Sequence, residues 1–448
     1  MLHRLSLAFL LIGVAAGLYI GSLHAQSDPA TGKAIGWLTV AQFTFTSVCM
    51  LLAWFSAPKA MSLSDVRLLL FVGVLARLIC LPMEPYTSND IDRYMFDGKI
   101  AISGYDPYQV THDAPELAEL RSVWQPPVEH VQYPTLYPPL SLALFALSAS
   151  AGVDAAPLVW KVLAALAGIA TVFLSALVLA RIGRLQHLSL VALSPLLILE
   201  TGVGAHVDAF SALFVALCLY YLLGGRQGLA GLCIGLGALV KILPIALLLP
   251  LVLGQKQLRP ALVLAVAAGA TVAVGYGLAL FLGLVPIGSI GTLFEKWRFG
   301  SPVFSVLSWA VSPAQAAVAV AVGLLLGSAL IAQRAWRLPA PIDICSPLLA
   351  YTLVMVLLLS PVVFPWYLMA LVPLMAVAPR PLLLIWTCTA GLTYEVLGGF
   401  YGAGGWEPAD WPLVVIFAGL LLGFVFELRH RIPQTSAVGQ TPGVVRHV

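Results

Sequence analysis

Charge is scarce in this chain. Asp, Glu, Lys and Arg make up 10% of its 448 residues, against 60% hydrophobic residues. An ordinary soluble domain carries about a quarter charged residues, so that class is excluded. The small net charge of +3 gives no footing for a nucleic-acid partner. Cysteine is equally sparse. Cys49, Cys80, Cys218, Cys233, Cys345 and Cys388 lie scattered inside apolar runs, without metal-ligand spacing, and read as small buried hydrophobes rather than disulfides. No His/Cys cluster suggests zinc. Polar–apolar alternation is missing too, which excludes a membrane β-barrel, and no transporter-like internal repeat is visible.

What the chain has in abundance is apolar runs of roughly 17–25 residues, each long enough to cross a ~30 Å hydrocarbon core. Continuous runs of this kind satisfy their backbone only as helices. The fold class is therefore all-α, a polytopic transmembrane bundle of about 12–14 helices. Crossings are predicted near 5–22, 36–56, 66–82, 157–181, 186–201, 207–223, 228–241, 242–254, 259–284, 314–333, 344–361, 365–378, 381–398 and 411–428. The first run could be a signal peptide, but SLHA is a poor cleavage site and a first membrane helix is the preferred reading. With a cytoplasmic N-terminus, Arg181, Arg184, Arg226, Lys256, Arg334 and Arg380 all fall in inner turns, as the positive-inside rule requires. The loop 83–135 is then periplasmic or luminal. This topology needs YPPLSLALFALSASAG, 137–152, to lie in or dip into the outer interface instead of crossing. Compact loops and the absence of retention signals favour a bacterial inner membrane. The tail from Ile432 is polar and reads as disordered and cytoplasmic.

Ionisable groups at membrane depth are expensive, so each invites a functional hypothesis. The candidates map to the outer face. Asp90, Asp92, Arg93 and Asp97 open the long loop, in SNDIDRYMFDGKIAISGYDPYQV. His206 and Asp208 sit in GVGAHVDAF, Lys241 in GALVKILP, Arg298 in GTLFEKWRFGSP, and Trp366 and Tyr367 in SPVVFPWYL. Carboxylates beside cations suit sugar transfer from a lipid phosphate to a hydroxyl. A carboxylate takes the acceptor proton as the oxygen attacks the anomeric carbon, and cations stabilise the departing phosphate. Both aspartates could instead cap the following helix, where acidic residues favour the dipole. Asp97 reads as an exposed helix residue. Lys241 could be a snorkelling lysine, Arg298 a solvated loop charge, and His206 and Asp208 ordinary turn polarity.

The segment SNDIDRYMFDGKIAISGYDPY followed by VQYPTLYPPL resembles the first outer loop of GT-C glycosyltransferases that use polyprenyl-phosphate sugars, above all the polyprenol-phosphate-mannose-dependent mannosyltransferases. GLCIGLGALVKILPIALLLP resembles the family's G-L-x-x-x-x-K-x-x-P stretch, and SPVVFPWYLMALVPL its P-W-Y helix start. The resemblance covers roughly 85–440 and implies an inverting transferase whose base is Asp90 or Asp92, with Asp90, nearer the membrane exit, preferred. Arg93, Tyr137, His206, Asp208, Lys241, Arg298, Trp366 and Tyr367 become candidate substrate-binding residues. A divalent cation on Asp-x-Asp is possible, although a monophosphate leaving group met by Lys and Arg has less need of one, and the resemblance favours no required metal.

Residues 66–260 then form the catalytic module, 1–65 an added N-terminal hairpin, 261–431 the C-terminal helices and 432–448 the tail. The implied partners are a polyprenyl-phosphate sugar donor, most simply of mannose, a glycan or glycolipid acceptor on the outer side, and membrane lipids. Two other classes compete. A lipid-diphosphate-dependent polymerase or ligase would call for arginines in a large late loop, but Gly398 to Asp410 has no Lys or Arg. A lipid-glycan transporter would need polar residues through both leaflets, and the inner halves of the helices are nearly all apolar.

Overall fold

The computed structural model describes residues 2–26 and 28–429. Among these residues the chain is helical, with one isolated bridge between Phe299 and Val362 and no strand. The first half contains α1 (Leu2–Ala25), α2 (Pro29–Phe55), α3 (Leu63–Cys80), α4 (Asp90–Ile102), α5 (Ala118–Trp124), α6 (Pro139–Ala149), α7 (Ala156–Arg181), α8 (Ser189–Ala192), α9 (Pro195–Gly202), α10 (Asp208–Leu223) and α11 (Gln227–Val240). There follow α12 (Leu248–Leu253), α13 (Leu258–Phe281), α14 (Ile290–Lys296), α15 (Pro302–Ala310), α16 (Pro313–Trp336), α17 (Pro347–Leu359), α18 (Val372–Val377), α19 (Pro381–Thr389), α20 (Leu397–Ala403) and α21 (Trp411–Arg429). Short 3-10 turns such as Leu243–Leu247, Pro365–Leu371 and Ala390–Val396 join several of them. The polar tail 432–448 lies outside the described residues.

Local chemistry sets the helix starts. Asp28 accepts from the Ala30 amide at 2.9 Å and Pro29 opens α2, while Ser62 with Asp65 and Ser312 with Gln315 form capping boxes on α3 and α16. Among the described residues, eight helical stretches are long and apolar enough to cross a membrane. Five of the remaining expected crossings are shorter: Asp208–Leu223, Gln227–Val240, Leu243–Leu253, Pro347–Leu359 and Pro365–Val377. At 1.5 Å per residue even the longest, of 16 residues, spans roughly 24 Å, less than a hydrocarbon core. The sixth, α3, carries Asp65, Arg67 and Arg77. Segment 137–152 yields the 11-residue α6, roughly 16 Å long and too short to cross.

Burial separates an inner layer from a lipid-facing one. Every residue of α9 is buried, whereas α13, α16 and α21 bury only a few residues each. Their exposed Leu, Val and Phe side chains match the hydrocarbon they would face. The N-terminal hairpin closes onto the last third of the chain. A Cβ on Gly32 would lie 2.2 Å from the Gly402 amide nitrogen, and one on Gly36 2.6 Å from that of Gly398. Paired glycines thus let α2 and α20 touch backbone to backbone, the small-residue contact that membrane helices favour. Of the six cysteines, Cys49, Cys80, Cys218 and Cys233 are buried, Cys345 and Cys388 half-buried, and all are free.

Candidate active site

The acidic loop begins where α4 starts. Asn89 occupies the N-cap without a side-chain cap bond, and Asp90 and Asp92 both fall in the first turn. Neither therefore acts as the cap residue, although both carry the sign that a helix N-terminus favours. Two residues apart, they look in different directions. Asp90 belongs to a stripe with Tyr94 and Asp97, spaced by four and seven residues, that faces the interior.

Asp90 Oδ2 accepts from the Tyr94 hydroxyl at 3.1 Å and lies 3.6 Å from His206 Nε2. Its side chain keeps 25% of its surface open, so it is both held and reachable. Tyr94 is itself fixed by stacking on Phe145 at 4.5 Å and by edge contacts to Tyr137 and Trp160 at 5.1 and 5.4 Å. The α4–α6 crossing that makes this possible rests on Gly98, whose Cβ would meet the Phe145 backbone at 2.4 Å.

The turn between α9 and α10 supplies the next groups. His206 is fully buried, and its ring stacks on Trp366 at 3.7 Å with a 10° tilt. Its Nε2 faces the Ser88 hydroxyl at 2.9 Å, and its Nδ1 lies 2.9 Å from Glu200 Oε2, out of line for a straight hydrogen bond. The Tyr394 hydroxyl donates to the other oxygen of Glu200. Two backbone features aim the ring. Ala205 adopts φ +45°, a left-handed conformation that costs a residue with a Cβ roughly 1–2 kcal/mol. It is held there by Trp160 Nε1 donating to its carbonyl at 2.7 Å and by the His206 amide donating to Glu200 O at 2.8 Å. Gly204 leaves the space the ring needs, since a Cβ there would come within 2.5 Å of His206 Cε1.

Asp208 opens α10 and is paired with Lys241, whose Nζ donates to Oδ2 at 2.7 Å. Lys241 also lies 3.6 Å from the centre of the Tyr367 ring. Its backbone is extended where α11 ends, so the lysine leaves the helix and turns back to α10. The pair keeps little contact with solvent, 18% for Lys241 and 4% for Asp208.

The structure thus joins Asp90, His206, Asp208, Lys241, Trp366, Tyr367 and Tyr137 in one neighbourhood. Arg93 is buried, donates to Pro134 O at 3.4 Å and leaves its Nε without a hydrogen-bond partner. Arg298 is placed differently. It donates to the Trp297 and Glu295 carbonyls at 2.6 and 2.9 Å, and its guanidinium lies 4.2 Å from the Phe304 ring centre. The neighbouring Phe299 stacks on Phe364 at 4.6 Å, and Phe364 on Trp366 at 4.5 Å. That loop reaches His206 through rings rather than through charge.

Asp92 lies on the exposed side of α4. The protein mass around it, and then Glu84, push its carboxyl up to about 6. Asp97 corrects the sequence reading. It is fully buried, not exposed, and receives His112 Nε2 at 2.6 Å and the Thr135 hydroxyl at 2.7 Å. The Thr135 carbonyl further accepts the Ser289 amide at 3.2 Å, so Asp97 ties two loops together. Residue phase was the overlooked signal, because seven residues from Asp90 returns to the same helix face.

Tyr94, Tyr394 and Glu200 were also missed. Glu200 was legible as the lone acid in SPLLILETG, an ionisable group inside an apolar run. Among the described residues, no group of three or more His, Cys, Asp or Glu side chains is arranged to hold a metal ion.

No curated protein matches the chain. Residues 6–255, more than half of it, match a family model described as alpha-(1->6)-mannopyranosyltransferase, N-terminal domain. The match takes in Asp90, Asp92, Glu200, His206, Asp208 and Lys241, while Trp366, Tyr367 and Tyr394 lie beyond it.

Proposed function

The chain belongs to the alpha-(1->6)-mannopyranosyltransferase family, and from that membership we propose that it transfers mannose, with inversion, from a polyprenyl-phosphate sugar to a hydroxyl of an extracytoplasmic glycan or glycolipid. It is an integral membrane protein, with eight helices of spanning length and composition among the described residues. Its place in this reading is the bacterial inner membrane, with the site facing the periplasm. Family membership favours transfer over translocation of a lipid-linked glycan.

Asp90 is the base. It removes the proton of the acceptor hydroxyl while the oxygen attacks the anomeric carbon. The bond from that carbon to the phosphate oxygen breaks as the new one forms, and its electron pair leaves with the polyprenyl phosphate. A single displacement giving an α-linkage requires a β-linked donor. Lys241 and Arg93 face the negative charge that develops on the phosphate. Lys241 arrives already paired with Asp208, so its position does not depend on the ligand. Tyr367, half-buried, gives a ring against which a sugar can lie, while Tyr137 and Trp366, packed against Tyr94 and Phe145 and on His206 and Phe364 respectively, brace the site behind it.

The observation that carries this reading is the placement of Asp90: fixed by Tyr94, a quarter open, and in the same cluster as the Lys241–Asp208 pair. Asp92, on the other side of α4 with Glu84 as its charged neighbour, is the weaker candidate for the base. The test is transfer by purified protein in lipid nanodiscs. Polyprenyl-phosphate-mannose should serve as donor and a nucleotide-linked mannose should not. Transfer from the nucleotide sugar alone would overturn the donor assignment.

A further inference from the structure

Beyond the base lies a buried polar line that sugar transfer does not by itself require. Glu200 and His206 have no exposed surface, yet Glu200 Oε2 sits 2.9 Å from His206 Nδ1 and His206 Nε2 sits 3.6 Å from Asp90 Oδ2. Burying two ionisable groups is unfavourable unless they meet a partner, and these two lie end to end behind Asp90, 2.9 Å apart though not aligned for a straight hydrogen bond. The left-handed Ala205 and the cleared space at Gly204 show that the turn is shaped to present this ring. Trp366 closes one face of it.

We propose that His206, oriented by Glu200, is a positioning residue that shares the proton Asp90 removes from the acceptor. This rests on Asp90 being the base. With the ring proton on Nδ1, 2.9 Å from Glu200 Oε2 although not in line with it, Nε2 is the ring's acceptor, and in the resting protein it takes the Ser88 hydroxyl hydrogen. Once Asp90 has taken the acceptor proton, the Ser88 hydrogen turns away from Nε2 and the Asp90 O–H, 3.6 Å off in the resting protein, closes on it. Moving that proton to Nε2 leaves an imidazolium between two carboxylates and restores the Asp90 anion. Return of the proton through Asp90 to solvent or to the released phosphate completes the cycle, with no further reactant. The logic is that of a base held by a second group that is held by a third.

The charged and titratable groups around His206 come from three directions. Glu200 approaches from α9, with Tyr394 behind it. Asp90 comes from α4, with Tyr94 beside it, and Asp208 from α10, with Lys241 attached. Trp366, on the fourth side, carries no charge. Removing the Glu200 charge makes the Asp90–His206 pair a weaker base. The acid limb of the kcat profile therefore moves to lower pH, and the plateau falls.

The experiment measures kcat and KM against pH for the wild type, Glu200→Gln, His206→Gln and the double variant, with polyprenyl-phosphate-mannose as donor. Glu200→Gln should lower kcat about 10- to 100-fold with both KM values within about threefold. His206→Gln should lower kcat similarly, and the double variant should be no worse than His206→Gln alone, because groups acting as a unit lose their effect once. Should Glu200→Gln fail to fold, the KM-against-kcat split of His206→Gln decides. Additive losses, an unmoved acid limb, or a higher acceptor KM at unchanged kcat would each overturn the inference. Absence of transfer by the wild type would instead overturn the proposed function beneath it.

Discussion

Replacing Lys241 by Met separates what the Lys241–Asp208 pair does for the fold from what it does for the reaction. The ammonium is 2.7 Å from Asp208 Oδ2, and the two side chains are 18% and 4% exposed. At an effective dielectric of about 20, charges at that separation attract by roughly 6 kcal/mol. Much of this attraction offsets the desolvation of both groups. Removing one partner strands the other, which costs roughly 3–5 kcal/mol, whereas replacing both with apolar residues is often neutral. Lys241→Met should therefore lower the unfolding temperature by several degrees, and Lys241→Met with Asp208→Leu should recover most of it. Transfer should behave otherwise. Loss of a cation facing a developing phosphate charge lowers kcat about 10²- to 10³-fold, and the double variant should remain as slow. Thermal unfolding in detergent, followed by tryptophan fluorescence, and a transfer assay on the same preparations supply both readouts. A Lys241→Met protein as stable as wild type, or a double variant that regains activity along with stability, would refute the reasoning.

Three further changes test other parts. Asp92→Asn should keep transfer within a few-fold, because Asp92 does not point into the cluster. Its raised carboxyl, up to about 6 from 3.8, favours the protonated form in the folded state. The resulting penalty grows as pH rises from about 4 to 6 and is full above that. Asp92→Asn should thus be more stable than wild type at pH 7.5 by less than about 1 kcal/mol, since the carboxyl meets water, and the difference should vanish near pH 4 in unfolding scans. Gly98→Ala should destabilise by at least about 1–3 kcal/mol and lower kcat, because its Cβ would meet the Phe145 backbone at 2.4 Å and α4 carries Asp90. Ala205→Gly should raise the unfolding temperature slightly by relieving the left-handed strain, worth about 1 kcal/mol, with the midpoint shift as readout.

Composition made the helical bundle legible, because hydrocarbon leaves few alternatives. The short helices α10 and α11 lie where the apolar runs 207–223 and 228–241 placed them, whereas α17, Pro347–Leu359, stops short of its run 344–361. Apolar residues facing protein and apolar residues facing lipid look alike in a sequence, so run length alone does not say which apolar helix spans a hydrocarbon core. The carboxylates at the start of α4 were legible from their isolation, and Lys241 from its place in an apolar run. Their pairing was not, because Asp208 and Lys241 are 33 residues apart and meet only once α10 and α11 pack. Asp97 was misread for a related reason: polarity alone suggested exposure, while the helix phase it shares with Asp90 and Tyr94 points inward to His112 and Thr135. Glu200 and Tyr394 are 194 residues apart, and no local pattern links them.

The most direct test is the rate of Asp90→Asn. Asparagine preserves the shape of the side chain and can still meet Tyr94 and His206, but it cannot take a proton. If Asp90 is the base, purified Asp90→Asn should fold like wild type, keep its KM for polyprenyl-phosphate-mannose within a few-fold and lose about 10²- to 10⁴-fold in kcat, while Asp92→Asn stays near wild type. An Asp90→Asn protein with kcat within a few-fold of wild type, or an Asp92→Asn protein that is the inactive one of the two, would contradict it.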